Sequence, residues 1–425
     1  MQAVILAAGE SSRFWPLNQK HKSLIKIMGK PLICYTIEGL KRGGVRDIII
    51  VQGPKRDIEK ELESNSCYLK KARQVKINYV IQHKPKGTGD ALWQARNFIK
   101  GPFFLTGPHK VDLDDYFPKL LRKFKKNTNR LLLVGVKTSH PWDFGILKLK
   151  GNKIVKIVEN PPKGRASSDI KATETYFFPK KFLDYYKKVP QREENLIDTI
   201  NLFIKEGKAD FVLLNKEPAS LKYPWDIFKI LHILFESKNF KNKIDSSVFI
   251  GKNVIIEKRV FIGTKTKVLD GAIIKGPAFI GSNCIIGNNA VIRDYTNIEN
   301  EALIGSFSEI KNSILQEDFH SHSNYLGNSF FDKGCRVGVG TVTANRRLDR
   351  QNIEVKAKGE KIDTGHNYLG VVVGEDSKVG VNSSLMPGVL IGSHCFVGPH
   401  SLVMENIKDN TVFFTTFKNV KKRKK

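Results

Sequence analysis

The chain carries two different hydrophobic rhythms, one in each half. From Ile244 a β-branched residue recurs at every sixth position: Ile244, Ile250, Ile256, Ile262, Val268, Ile274, Ile280, Ile286, Ile292, Ile298, Ile304 and Ile310. Two residues ahead of each from Ile250 onward stands a modest side chain, from Val248, Val254 and Val260 through Thr266, Ala272 and Ala278 to Cys284, Ala290, Thr296, Ala302 and Ser308. An amphipathic helix would demand a period of 3.6 and a half-buried strand a period of 2. The sixfold spacing predicts a left-handed parallel β-helix, a triangular coil of short strands with one aliphatic side chain inward per repeat. Gly251, Gly263, Gly281, Gly287 and Gly305 follow the aliphatic positions, where turns favour a residue without Cβ. After a slip in phase the rhythm resumes at Phe331 and Val337 and breaks for a polar excursion through residues 345–367. It returns as Val373, Val379, Leu385, Ile391, Val397 and Val403. So long an excursion in a regular coil points to function.

The first half alternates apolar strands with helical stretches: AVILAA, PLICYTIEGLKRGG, DIIIVQG, INYVIQ, ALWQARNFI and PFFLTG. That order predicts an open, largely parallel, Rossmann-like α/β sheet, whose ligands bind beyond the carboxyl ends of the strands. LAAGESSR at 6–13 falls at such an end, and Gly9 lets backbone N–H groups approach a phosphate. The expected division is an α/β domain over 1–236, a linker over 237–243, the coil over 244–417 and a basic tail over 418–425.

The 425 residues suit two or three domains, and no apolar run approaches the ~20 residues of a membrane span. Cys34, Cys67, Cys284, Cys335 and Cys395 are odd in number and widely spaced, which fits a reducing cytoplasm better than a disulfide framework. The start MQAVILAAGESSR has no basic segment ahead of its apolar stretch and is read as a first strand. Residues 1–243 hold 47 basic and 24 acidic side chains, residues 244–417 hold 18 of each, and the tail adds six positives, so the net charge of +29 belongs to the first half and the tail. Such a half attracts nucleotides or sugar phosphates, or simply carries solvated lysines. No aromatic-rich RNA motif accompanies it, so nucleic acid is not an expected partner.

LAAGESSRFWPLNQKHKSLIKIMGKPLICY resembles the sugar-1-phosphate nucleotidyltransferases: a Gly-rich loop, Arg, Pro, a Lys that follows Pro in the family, then GKP and a tyrosine. The resemblance implies that Arg13 and Lys22 neutralise charge while a sugar phosphate attacks the nucleoside triphosphate, that Gln82 contacts the base with Gly87 and Thr88 flanking it, and that Glu159 holds sugar hydroxyls. It implies Asp226, in KYPWD, as a ligand for Mg²⁺. Four positions depart from the family. His21 precedes Lys22 in place of Pro, Ser11 replaces a common Gly, Ala172 replaces an Asn, and Gly107-Pro108 stands where the family has Gly-Asp. Proline offers a hard cation no oxygen, so the expectation is a site that binds nucleotide better than it turns it over, with Asp112 as the most plausible substitute ligand.

The coil resembles the hexapeptide-repeat acyltransferases, generally trimers with active sites between neighbouring prisms. EIKNSIL, HSHSNYLG and GVGTVTANRR resemble the acetyltransferase half of GlmU-type enzymes, and KIDTGHNYLGVVVGEDSKVGVNSSLMPGVLIG resembles their archaeal branch. By that resemblance His322 is the base that takes a proton from the attacking amine, Asn345 positions the acetyl group of acetyl-CoA, and Lys311 and Tyr325 contact an amino-sugar phosphate. The stretch from Lys311 to His322 is one residue shorter than the family's, which leaves His320 as an alternative base. Together the resemblances imply a cytoplasmic homotrimer that acetylates an amino-sugar 1-phosphate and couples it to a nucleotide. The alternative is a non-catalytic assembly subunit resembling translation-factor exchange subunits, which share this domain order.

Overall fold

The computed structural model describes residues 1–64, 75–151, 153–190, 192, 195–357, 359–418 and 421. Cys67 and most of the basic tail lie outside the described residues. The chain divides into two compact units: residues 1–10, 23–25 and 31–220, and residues 11–22, 26–30 and 221–425. Among the described residues no helix is long and apolar enough to cross a membrane.

The first unit is built on β1 (Gln2–Ala7), β2 (Asp47–Gln52), β3 (Lys76–Ile81), β4 (Phe103–Thr106), β5 (Leu131–Lys137), β6 (Ile146–Lys150), β7 (Lys153–Val158), β8 (Ile170–Phe178) and β9 (Ala209–Leu214). They form one sheet in the order β9-β5-β8-β4-β1-β2-β3, with β6 and β7 attached through β8. Buried side chains cover both faces, so the strands read as nearly continuous apolar runs rather than alternating ones: Ala3, Ile5 and Ala7 face one cluster while Val4 joins the other. Helix α1 (Leu113–Lys125) shows why the helices lie against the sheet: Leu113, Tyr116, Phe117, Leu120 and Phe124 recur at helical spacing and are all buried. The sheet departs from the simple parallel expectation in one place that matters. β8 runs antiparallel between β4 and β5, so its N-terminal half, not its end, reaches the edge where β1 and β4 terminate.

In the second unit three parallel sheets run the length of a left-handed coil, with Ile244 paired to Ile262 and Ile250 to Val268. Three hexads make one 18-residue turn, and Val268, Ile274, Ile280, Ile286, Ile292, Ile298, Ile304 and Ile310 are wholly buried along its axis. Ile244 and Ile250, 41 % and 46 % exposed, and the half-buried Ile256 are the exceptions, because the first turn has no turn beneath it.

The glycines after the aliphatic positions are needed for a different reason from the turn conformation expected. The left-handed corners belong to residues such as Asn253, Lys265, Asn283, Asn289, Glu301 and Phe307. The glycines lie where successive turns almost touch: a Cβ on Gly263 would come within 2.7 Å of the Gly281 carbonyl carbon, and one on Gly287 within 2.4 Å of the Ser306 nitrogen.

The slip in phase is a run of shortened steps. Ile298 pairs with Leu315, Ile310 with Leu326 and Leu315 with Phe331, so the coil loses one residue at the Asn312 corner, a second between Ser321 and Leu326 and a third between Leu326 and Phe331. Phe331 then pairs with Val373, and the excursion leaves and re-enters at a single corner. It contains an antiparallel hairpin, Glu354–Ala357 with Glu360–Asp363, whose buried Ile353 and Val355 pack where a Cβ on Gly388 would otherwise be.

The short ladder Lys26–Ile27 with Lys30–Pro31 encloses a turn that belongs to this unit through residues 26–30. The Met28 N–H donates to Asn297 Oδ1 at 2.8 Å, the Gly29 N–H to the Glu299 carboxylate at 3.0 Å, and Lys26 pairs with Glu317 at 2.9 Å. Glu299 is fully buried, and burial raises its carboxyl to about 7 against the relief of the Asn297 and Gly29 hydrogen bonds. Folded protein therefore holds a proton that unfolded chain has released. The contribution of Glu299 to stability is full below about pH 4.5 and is lost as pH rises to about 7, a change of about 1–3 kcal/mol. Urea midpoints across that window should show this loss, and Glu299→Gln should flatten it; an unchanged slope in the variant would assign the loss elsewhere.

Candidate functional sites

In the first unit Gly9 follows β1 at the sheet's carboxyl edge, and a Cβ there would meet nothing within 4 Å. Gln82, 5 % exposed, follows β3; its Nε2 donates to Asp90 Oδ2 at 2.7 Å and to the Gly87 carbonyl at 3.2 Å. Gly87 is left-handed at φ 92°, and Thr88 opens the helix Thr88–Gln94. Gln82, Gly87 and Asp90 thus form one hydrogen-bonded corner from which Thr88 starts its helix, and Asp90 is a partner that the sequence did not single out. Glu159 stands at the end of β7, and a Cβ on Gly145 would lie 2.3 Å from its Oε1. The exposed Glu159 carboxylate lies where only glycine leaves room.

Asp112 is turned inward rather than open to solvent at the strand end. It is 7 % exposed, its Oδ2 accepts the Ala219 N–H at 2.8 Å, and burial raises its carboxyl above the ordinary range. Lys110 donates to the Ala219 carbonyl at 2.7 Å. The two side chains clamp one peptide segment.

In the second unit Ser11 takes the left-handed conformation (φ 54°) that favours glycine, and its Oγ accepts the Lys22 N–H at 3.3 Å. Exposed Arg13 sits in the turn Ser12–Phe14 that follows, and the Lys22 ammonium donates to the Leu221 carbonyl. Asp226 caps its own turn: Oδ2 accepts the Lys222 and Tyr223 N–H groups, both at 2.8 Å.

The coil brings Lys311, Tyr325 and Asn345 together. Lys311 lies in register with Gly327, and Tyr325 with Val342. Asn345 Nδ2 donates to Asn328 Oδ1 at 2.7 Å and lies 3.4 Å from the Tyr325 hydroxyl. Arg346 and Lys311 both lie over the Tyr368 ring, at 4.7 and 5.8 Å from its centroid. Asn328, Arg346 and Tyr368 were not singled out from sequence; only the register of successive turns joins them to the site.

His322 is exposed and follows Ser321, which keeps its inward place between Ile304 and Val337. A Cβ on Gly305 would strike the His322 Cα at 2.6 Å, so the imidazole is carried on a corner stacked on glycine. Ahead of this corner the step from Ile310 to Leu315 is five residues, with Asn312 left-handed inside it, and the step from Leu315 to Ser321 is the regular six. His320 instead lies 3.2 Å from Asp318, which also pairs with Arg336 at 2.7 Å. Phe307, Glu309, Tyr325, Thr341 and Val342 line a cleft beside this corner.

An α/β sheet of this order followed by a hexad coil with a polar, histidine-bearing corner defines a two-part transferase. Residues 2–225 match the Nucleotidyl transferase family, residues 239–322 the GMPPB C-terminal domain, and residues 370–404 the Bacterial transferase hexapeptide (six repeats) family. The chain is 33 % identical over 426 residues to the bifunctional protein GlmU of Methanococcus maripaludis strain C7, covering 97 % of each. It is 29 % identical over 423 residues to a bifunctional sugar-1-phosphate nucleotidylyltransferase/acetyltransferase of Sulfurisphaera tokodaii, covering 96 % of this chain and 98 % of that protein. A solved putative glucose-1-phosphate thymidylyltransferase from Bacillus anthracis superposes with a TM-score of 0.50 at 21 % identity, over 57 % of this chain and 98 % of that one, and shares the fold of the first part. The chain belongs to the GlmU-like family of bifunctional sugar-1-phosphate nucleotidyltransferase/acetyltransferases. These relatives lend no support to the assembly-subunit reading.

The Asp226 carboxylate accepts two backbone N–H groups irrespective of any metal. Asp226→Ala should therefore lower stability by about 1 kcal/mol, as loss of a cap does, in a urea titration run with chelator; an unshifted midpoint would remove the capping role.

Proposed function

We propose that the coil acetylates an amino-sugar 1-phosphate and that the α/β domain couples a sugar 1-phosphate to a nucleotide. The observation that carries the reading is the assembly of Lys311, Tyr325 and Asn345 on adjacent turns. In the first reaction the amine nitrogen bonds to the thioester carbonyl carbon of acetyl-CoA, the carbon–sulfur bond breaks, and CoA leaves as the thiol. His322 accepts the amine proton, Asn345 orients the acetyl oxygen, and Lys311 with Tyr325 hold the sugar phosphate. Exposure of the His322 ring, against the Asp318 carboxylate 3.2 Å from the His320 ring, favours His322 as the base.

In the second reaction a phosphate oxygen of the sugar 1-phosphate attacks the α-phosphorus and pyrophosphate leaves. Arg13 and Lys22 neutralise the developing charge, Gly9 and the Gln82–Gly87–Thr88 corner receive the nucleotide, and Glu159 binds sugar hydroxyls. Asp226 retains Oδ1 for a cation beside the capping oxygen, which suits a hard ion that takes few protein ligands. Bound Mg²⁺ would offset phosphate charge. We assign the reactions to domains 1–236 and 244–417, and the protein to the cytoplasm as a homotrimer. Phe307, 70 % exposed beside the cleft, supports a covering surface from a second copy.

Purified protein, glucosamine 1-phosphate or galactosamine 1-phosphate, acetyl-CoA and each nucleoside triphosphate test both reactions, with thiol and pyrophosphate followed separately. His322→Ala should lower thiol release by about 10²- to 10⁴-fold with the oligomer intact by light scattering, while His320→Ala stays near the unsubstituted rate. The reverse result would give the base to His320, and no thiol release from any amino sugar would end the acetyltransfer assignment.

A further inference from the structure

Pro108 removes the carboxylate expected at the end of β4, and Asp112 is buried with one oxygen on the Ala219 N–H, yet the same edge carries a solvent-exposed carboxylate from another strand. Leu105 pairs with Tyr176 and Phe103 with Phe178 in antiparallel register, and Glu174 lies just beyond the last pair, in the irregular stretch of β8 between Ala172 and Tyr176. A Cβ built on Gly107 would lie 3.4 Å from Glu174 Oε2 and 3.3 Å from the His109 ring. The carboxylate therefore leans over the strand end into space that any other residue at 107 would crowd. Because Ile5 on β1 pairs with Thr106, the edge on which Glu174 stands is the one where β1 runs into Gly9. Two strand spacings, about 10 Å, separate β8 from β1, within the span of a nucleotide's phosphates and sugar.

Glu174 is exposed, and among the described residues no cation is seen paired with it, whereas Lys171 on the same strand is taken by Glu217 at 2.6 Å. The acidity of the buried Tyr176 hydroxyl is suppressed by burial first and then by the charges of Glu174 and Glu159. A solvent-facing carboxylate without a counter-ion, at the ligand-binding edge of an α/β sheet, has the donor chemistry of a hard-cation ligand.

We propose that Glu174 takes over from the strand-end carboxylate that Pro108 lacks and is a ligand for the divalent cation that accompanies the nucleotide. The inference rests on the nucleotidyl-transfer reading of the first domain. It assigns the replacement to a neighbouring strand rather than to the acidic residues that follow Pro108 in sequence.

The test is Mn²⁺ binding to the full-length protein, followed by electron paramagnetic resonance in the presence of a non-hydrolysable nucleoside triphosphate, with nucleotide affinity measured separately in chelator. Glu174→Gln should weaken Mn²⁺ binding about tenfold or more while leaving nucleotide affinity in chelator and the thermal midpoint unchanged. Adding Pro108→Asp to that variant should restore Mn²⁺ binding by returning a carboxylate to the edge. Equal Mn²⁺ affinity in Glu174→Gln and the unsubstituted protein would overturn the assignment. So would nucleotide binding in chelator with no Mn²⁺ uptake, which leaves the nucleotide reading standing. Absence of nucleotide binding under both conditions would end both.

Discussion

The closeness of successive coil turns is the constraint on which the second unit depends. One β-branched residue per hexad fills the axis, and the backbone left outside must stack turn upon turn at strand spacing. Corners then meet backbone to backbone, which is why Gly263, Gly287 and Gly305 cannot carry a Cβ although none of them needs a left-handed conformation. The site inherits this. Gly305 lies beneath His322, and the Lys311–Tyr325–Asn345 group exists because three turns are held in fixed register. Packing along the axis sets the chemistry on the corner.

Much of this was legible because period and side-chain type both point outward from a single physical cause. The twelve aliphatic positions in step could be read as a coil without knowing its neighbours, and the strand–helix alternation as an α/β sheet. The errors have one origin too: each concerned what lies beside a residue rather than along the chain. Ile244 and Ile250 fit the period yet face an open end, and the glycines were expected for turn conformation when inter-turn distance demands them. The stretch before His322 was short by the family's measure, and only register shows that a five-residue step falls at the Asn312 corner.

The first domain shows the same limit more sharply. Pro108 and Ala172 were visible as departures, and Asp112 was a reasonable substitute by distance in sequence. Its burial against the Ala219 N–H could not be foreseen, because nothing within either short segment predicts that they meet. Glu174 was equally hidden: an antiparallel strand inserted between two otherwise parallel neighbours delivers it to the edge. Arg346 and Tyr368 stood inside quoted motifs, but only their shared approach with Lys311 links them to a common place.

The excursion also divides the coil as a folding system. Turns elsewhere join residues 16 to 18 apart, so each new turn closes a short loop on a template already present. The rung from Phe331 to Val373 must close across 42 residues instead, and the loop-entropy relation puts the added cost at about 0.7 kcal/mol before any gain from packing. In a quasi-one-dimensional array such a rung is the weak link in propagation. The rungs from Phe331, Val337 and Thr343 to Val373, Val379 and Leu385 thus form one seam across the coil, with Asn345 and Tyr368 on the chain that leaves and re-enters there.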